Sequence, residues 1–374
     1  MRVLIAPDKF KGTLTALEAA AAMAEGVLRI YPEAEVIQLP MADGGEGTVA
    51  AAVAVGFEER LNAVVGPILK PTGAAWAIRG EAGKPTIAVI ETAQASGFLL
   101  AESTPENALR AHSYGCGQLI AAALDAGATE IVLGLGGSAM TDGGTGALRA
   151  LGLKLFDAQG GLLPLGGGQL AEAVALDVSG LDPRLAQTRI RLAVDVDNPL
   201  YGPVGAAHVF AAQKGADPEG VELLDAGLRN LASLLREVSD RDPNVPGAGA
   251  AGGFPASFLA LTEATVESGV ELVAELTGLI EKLAASDLVV TGEGSVDAQS
   301  LAGKTPIGVA RAAQALGVPV VLVAGQLSVG FEELAAFGVV AAASAAEAAR
   351  SPEEAMAHPA RYLRQATENA LNGS

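Results

Sequence analysis

Asp8, Lys9 and Lys11 stand together in Ala-Pro-Asp-Lys-Phe-Lys-Gly (residues 6–12), directly after a short apolar run. Two ammonium groups at a strand end suit a phosphate or a carboxylate, which lysine meets as a compact point charge. Asp43 and Glu46 fall in Asp-Gly-Gly-Glu-Gly (43–47), just ahead of a helical stretch. Carboxylates there either complement the helix dipole or hold Mg²⁺ through hard oxygens. Asp195 and Asp197 precede Asn198 and Pro199. That pair can orient an alcohol, hold a metal, or belong to an ordinary Asx-Pro turn. Glu293, Ser295 and Asp297 form a third charged glycine loop, with Gly303, Lys304 and Thr305 beyond it. Gly-Lys-Thr ends a Walker A motif, but that motif needs glycine where Ala298 stands, so the chain is not a P-loop NTPase on this ground.

A further stretch, residues 131–146, reads Ile-Val-Leu-Gly-Leu-Gly-Gly-Ser-Ala-Met-Thr-Asp-Gly-Gly-Thr-Gly. A buried strand leads into a small-residue turn and then a helix. That order presents backbone N–H groups at a helix start, where an anion binds. Gly136, Gly137, Ser138, Gly143 and Gly144 are the candidate phosphate contacts, with Asp142 among them. A tight connection with no ligand is the plain alternative in a chain with 47 glycines. Gly134-x-Gly136-x-x-Ala139 also fits the dinucleotide fingerprint in its alanine form, with Asp157 at about the expected distance. This leaves an NAD-type oxidoreductase as a second reading, although Asp142 crowds a turn that should be nearly neutral beside a pyrophosphate.

The rest of the composition narrows the chemistry. Lys plus Arg number 24 and Asp plus Glu 43, a net charge of −19, which argues against nucleic acid or an anionic membrane as partner. One cysteine, Cys116, excludes an internal disulfide and a cysteine zinc cluster. His112, His208 and His358 have no metal-ligand spacing. No apolar run has the length of a membrane span, and charges at Asp8, Lys9 and Lys11 come too early for a signal peptide. A cytoplasmic location is expected.

These loops need elements to hold them. Residues 2–6 and 36–39 read as strands, each followed by a loop and a helix. Thr15 and Glu18 form a capping box ahead of the first helix. Residues 287–291, 319–323 and 338–342 restart the same pattern after a long interruption. Strands starting near 3, 36, 288, 320 and 339 predict an α/β fold: one flavodoxin-like, doubly wound parallel sheet with a second α/β domain inserted into it. The domains expected are 1–58 plus 272–374, and 59–271. Within the insertion, 60–65, 74–79 and 86–90 read as antiparallel structure, 246–253 as a loop and 266–272 as a short β-like run.

In order along the chain, seven segments resemble the glycerate kinase type-1 family. They are residues 6–12, 41–47, 134–139 with Asp142-Gly-Gly, Asp195-Val-Asp-Asn-Pro-Leu, Gln213-Lys-Gly-Ala, 247–253, and Thr291-Gly-Glu-Gly with Asp297 and Gly303-Lys304. The resemblance implies ATP-dependent phosphorylation of D-glycerate with Mg²⁺, commonly at the 2-hydroxyl, with 3-phosphorylation as the alternative. Thr141 and Ser295 depart from the family pattern, which usually has Asn and Arg there. On this reading Gly136, Gly137, Ser138, Gly143 and Gly144 cradle ATP. Lys9 offsets phosphate charge, and Asp195 or Asp297 takes the hydroxyl proton. Asp43, Glu46 and Asp197 hold Mg²⁺. Asp8, Lys11, Asp43, Ser138, Asp142, Asn198, Glu293 and Lys304 contact substrate. The expected partners are these small molecules, with a homo-oligomer left open.

Overall fold

The computed structural model describes residues 1–373. Two compact units divide the chain: one holds Met1–Asp43, Ala50–Val55 and the residues from Val270 onward, the other Gly44–Val49 and Gly56–Gly269.

The first unit is built on a five-stranded parallel sheet. Its spatial order is Val339–Ser344, Val320–Ala324, Leu288–Thr291, Arg2–Ile5, Glu35–Gln38. The three central strands are runs of β-branched and aliphatic residues, as a sheet covered on both faces requires. Val3, Ile5, Val290, Val321 and Val323 pack on one side with Ala16–Ile30 and Pro359–Asn372. Leu4, Val289, Val320 and Leu322 pack on the other with Ile307, Val309 and Ala310 of helix Thr305–Ala315. Thr15 opens the first helix as expected: its hydroxyl accepts from the Glu18 N–H while the Glu18 carboxylate accepts from the Thr15 N–H. The helices after Arg2–Ile5 and after Leu288–Thr291 leave toward opposite faces. The strand order therefore reverses between these two neighbours, which is where doubly wound sheets bind ligands.

The second unit carries a six-stranded sheet in the order Thr265–Glu267, Arg189–Ala193, Glu130–Gly134, Ile87–Glu91, Pro71–Arg79, Glu58–Val65. The last three of these strands are antiparallel, as expected for 60–65, 74–79 and 86–90, and the first four are mutually parallel, Ile87–Glu91 belonging to both sets. Helices Thr92–Ser96, Pro105–Arg110 and Tyr114–Asp125 supply the crossover between the parallel strands Ile87–Glu91 and Glu130–Gly134, the last of them where the sequence predicts a helix over 113–126. Ile90, Ile131, Leu133, Ile190 and Leu192 face a core with Cys116, Leu119, Ile120 and the helix Pro218–Val238.

Two local expectations are corrected. Residues 266–272 are not one β-like run: strand Thr265–Glu267 gives way to helix Gly269–Thr277. Asp195 explains the switch, because its carboxylate accepts the Gly269 N–H at 2.9 Å and caps the new helix. Residues 250–253 belong to helix Ala250–Leu261, with Ala251, Gly252 and Gly253 left-handed inside it.

Candidate active site

Backbone hydrogen bonds at the reversal point align the two loops that leave it. Ala6 N–H donates to the Val290 carbonyl and Asp8 N–H to the Gly292 carbonyl, both at 2.8 Å. Thr291 Oγ1 donates to the Ala6 carbonyl at 2.7 Å. This registry sets Asp8 and Lys9 beside the loop that carries Glu293, Ser300, Lys304 and Thr305.

Asp8 is only 4% exposed. Its carboxylate accepts from Thr305 Oγ1 at 2.6 Å and from the Lys9 N–H at 2.6 Å. Lys9 Nζ lies 3.6 Å from Asp8 and 3.5 Å from Asp43. Burial pushes the Asp8 carboxyl above its ordinary range; Lys9 opposes that shift and Asp43 adds to it. Glu293 Oε1 accepts from Ser300 Oγ at 2.6 Å. Burial raises the Glu293 carboxyl as well, with Lys304 pulling it down and Asp8 and Asp43 pushing it up. Three carboxylates and two lysines thus act on one another across loops from both ends of the chain. Such a site can bind an anion, position an alcohol and take up a proton.

Asp297 belongs to the same loop but serves it locally. Its Oδ1 accepts from the N–H groups of Gln299 and Ser300, and the Ser300 backbone bond is the main reason its carboxyl lies below the usual range. Lys11 is exposed at the neighbouring bend, with its backbone against Gly294. Thr305 and Ser300 were not singled out for their hydroxyls. Gly-Lys-Thr is the feature of the sequence that marks Thr305, although it completes no Walker motif.

In the second unit, the glycine turn after Glu130–Gly134 has two parts. Gly136 and Gly137 are exposed, and Ser138 lies behind them. Bonds from Phe98 N–H to the Gly137 carbonyl and from Ala139 N–H to the Ser96 carbonyl, both 2.8 Å, staple this part to the segment 96–98. Gly143 and Gly144 are buried and left-handed. A Cβ on Gly143 would lie 2.3 Å from Leu231, and one on Gly144 2.3 Å from the Phe254 carbonyl, so close packing demands glycine at both. Asp142 is fully buried, and its carboxylate occupies the helix start proposed for phosphate: it accepts from Ser113 N–H and Oγ at 2.8 Å each and from the N–H groups of Gly144 and Gly146 at 3.1 Å each.

Asp43 belongs to the first unit, Glu46 and Asp197 to the second. Asn198 donates from Nδ2 to the Val204 carbonyl at 2.8 Å and shapes its own loop. Among the described residues no group of three or more His, Cys, Asp or Glu side chains is placed to cage a metal ion. The dinucleotide reading is corrected by topology. The helix Thr145–Ala150 leads to Lys154–Phe156, which pairs antiparallel with Ala175–Asp177 in a separate two-stranded sheet. Asp157 accepts from Gln159 and Gly161 N–H groups within its own turn. A ribose-binding acid should instead end the adjacent parallel strand. Among the described residues no helix is long and apolar enough to cross a membrane.

The chain is similar to known proteins over nearly its whole length. Residues 3–373 match the model of the glycerate kinase family. A glycerate kinase of Halalkalibacterium halodurans is 43% identical over 369 residues, covering 98% of this chain and 96% of the relative. The glycerate 2-kinase of Escherichia coli K12 is 44% identical over 330 residues, covering 88% and 86%. A crystal structure from Salmonella typhimurium LT2, assigned as glycerate kinase 2, superposes with a TM-score of 0.85 at 39% identity, covering 100% of this chain and 98% of its own. Matched by the family model over residues 3–373 and by relatives 43–44% identical, this chain belongs to the glycerate kinase family.

Proposed function

We propose that the protein transfers the terminal phosphoryl group of ATP to the 2-hydroxyl of D-glycerate, giving 2-phosphoglycerate and ADP. The cluster at the reversal of the first sheet carries the reading: in a chain of net charge −19, Lys9 and Lys304 act on carboxylates at the point where doubly wound sheets in general bind ligands. Membership of the family supports glycerate as acceptor, and the name of the Escherichia coli relative supports the 2-position.

Phosphoryl transfer is mostly a matter of alignment and charge neutralisation. Lys9 and Lys304 offset the charge of the substrate carboxylate and of the phosphates. In the second unit, taken by itself, Gly136 and Gly137 offer exposed main chain to ATP, with Ser138 behind them. Glu293 takes the hydroxyl proton, because its elevated proton affinity suits that role. Asp297 and Asp195, the acids first expected there, already accept backbone N–H groups. Ser300 holds one oxygen of Glu293 and fixes its orientation.

Mg²⁺ suits the donors present. Asp8 and Asp43 are hard oxygen ligands that repel one another, and Mg²⁺ is commonly held by one or two carboxylates together with substrate phosphates rather than by an all-protein cage. Asp43 and Asp8 would hold it here; Glu46 and Asp197 are the further candidates from sequence. When bound, the ion would neutralise phosphate charge.

Incubation with D-glycerate, ATP and Mg²⁺, followed by phosphorus NMR, tests the reading. The expected products are ADP and 2-phosphoglycerate, with turnover lost when EDTA removes the metal. ADP release that does not depend on glycerate overturns the assignment; a 3-phosphoglycerate resonance corrects its position.

A further inference from the structure

The Gln213-Lys-Gly-Ala segment has no part in the site described so far, yet it contains an unusual residue. Lys214 ends the short turn Ala212–Lys214 and is 6% exposed. Its Nζ donates to the Met140 carbonyl at 2.5 Å. Met140 directly follows the stapled part of the glycine turn and precedes Thr141 and Asp142.

We propose that Lys214 is a positioning residue for the nucleotide, its buried ammonium tying the Met140–Asp142 side of the turn so that Gly136–Ser138 is held in the shape that meets ATP. This rests on the assignment of those residues to ATP made above. Three observations support it. On one side the turn is fixed by the two backbone bonds to segment 96–98. On the other side Asp142 is tied to Ser113, Gly144 and Gly146, and the Lys214 ammonium acts on it from a distant part of the chain. Between these anchors, the Met140 carbonyl is held by Lys214.

An uncharged side chain could fill the same volume without desolvating an ammonium group, so a buried lysine is poor evidence of a merely stabilising role. Burial pushes Lys214 down to about 8, with Asp142 opposing the shift. Asp142 in turn interacts with His112, whose own proton affinity is lowered by burial, and with Arg149 on the helix Thr145–Ala150. The ammonium therefore loses its charge just above neutral pH, where the hold on the turn should weaken.

Steady-state kinetics and direct ATP binding by calorimetry, from pH 7 to 9, test this with wild type, Lys214→Met and Lys214→Arg. In Lys214→Met, KM and Kd for ATP should rise roughly ten- to a hundredfold, the scale of a misplaced binding group, while KM for glycerate stays within about twofold. In wild type, KM for ATP should rise as pH passes about 8. In Lys214→Arg that break should move to higher pH, with affinity near wild type at pH 7. A folded Lys214→Met with unchanged ATP affinity overturns the inference. If Lys214→Met does not fold, a wild-type profile flat from pH 7 to 9, or a break that persists in Lys214→Arg, overturns it equally. Wild type that binds no ATP at all contradicts the underlying site assignment instead, and removes the inference with it.

Discussion

Two glycine-rich loops, each leaving a buried parallel strand for a helix, put their charges to opposite uses. At the reversal of the first sheet, Asp8, Lys9, Asp43 and Glu293 act on one another, and Lys9 keeps a side-chain exposure of 22%. In the second unit the comparable turn directs its one carboxylate inward, where Asp142 accepts four hydrogen bonds from the protein itself. The pattern strand, small-residue loop, helix thus says that N–H groups converge; it does not say whether a ligand or a side chain answers them. The first loop should matter for turnover and hardly for folding, the second for folding first.

That contrast is open to direct attack. The largest effect is expected from Asp142→Ala, which leaves the Ser113 hydroxyl and the N–H groups of Ser113, Gly144 and Gly146 without their acceptor and removes the negative charge that favours the buried Lys214 ammonium. Leaving buried donors unsatisfied costs about 1–3 kcal/mol each, so a loss of about 3 kcal/mol or more is expected. The shift in the urea midpoint measures it, and a loss below about 1 kcal/mol would mean the carboxylate is not the anchor described.

Lys9→Ala should show the reverse pattern. Loss of a charge-stabilising group at the transferred phosphoryl should lower kcat/KM about a hundredfold or more, whereas stability should change by no more than about 1 kcal/mol because the ion pairs are partly solvated. Equal kinetics for wild type and variant would move the reaction away from the reversal point.

The elevated Glu293 carboxyl gives a smaller, pH-dependent signature. Burial, Asp8 and Asp43 favour its protonated form in the fold. Its favourable contribution is therefore complete below the ordinary glutamate value of 4.5 and is lost as pH rises through the higher folded value. Glu293→Gln, which stays neutral and keeps an acceptor for Ser300, should melt above wild type at pH 8, with the gap closing toward pH 4.5. A gap that widens on acidification reverses the sign and removes the basis for Glu293 as proton acceptor.

The smallest effect tests local strain in the second unit. Ala251 has φ of 48°, in the left-handed region that costs an L-residue about 1–2 kcal/mol. Ala251→Gly relieves this while adding about 0.4–1 kcal/mol of chain entropy to the unfolded state. A net gain of about 0.5 kcal/mol is expected in urea unfolding. A net loss would show that neighbouring contacts of the methyl group outweigh the strain.

Much of the fold was legible because the central strands are apolar runs and the helices after them carry strong start signals such as Thr15 with Glu18. The doubly wound order followed from counting those units on either side of the insertion. The second unit was harder. Its parallel strands depend on long-range pairing, such as Glu130 with Ile87 and Arg189, which local periodicity does not encode. In the site, charge-bearing loops could be listed, but a carboxylate that answers a ligand and one that answers its own backbone look alike in sequence. Asp142, Asp195 and Asp297 each accept main-chain N–H groups, and only geometry reveals it. Lys214 belongs to a segment noted for resemblance alone, because nothing local marks a lysine as buried.

The strand Arg2–Ile5 sits between Glu35–Gln38 and Leu288–Thr291. During synthesis its first neighbour emerges within moments, but its second is translated only after the entire second unit. At about 5–20 residues per second, that leaves one side of a central apolar strand unmatched for roughly a quarter of a minute to a minute. A nascent chain stalled before Leu288 would therefore display a sticky ribbon edge, a natural target for ribosome-associated holdases and a point where slowed translation invites aggregation.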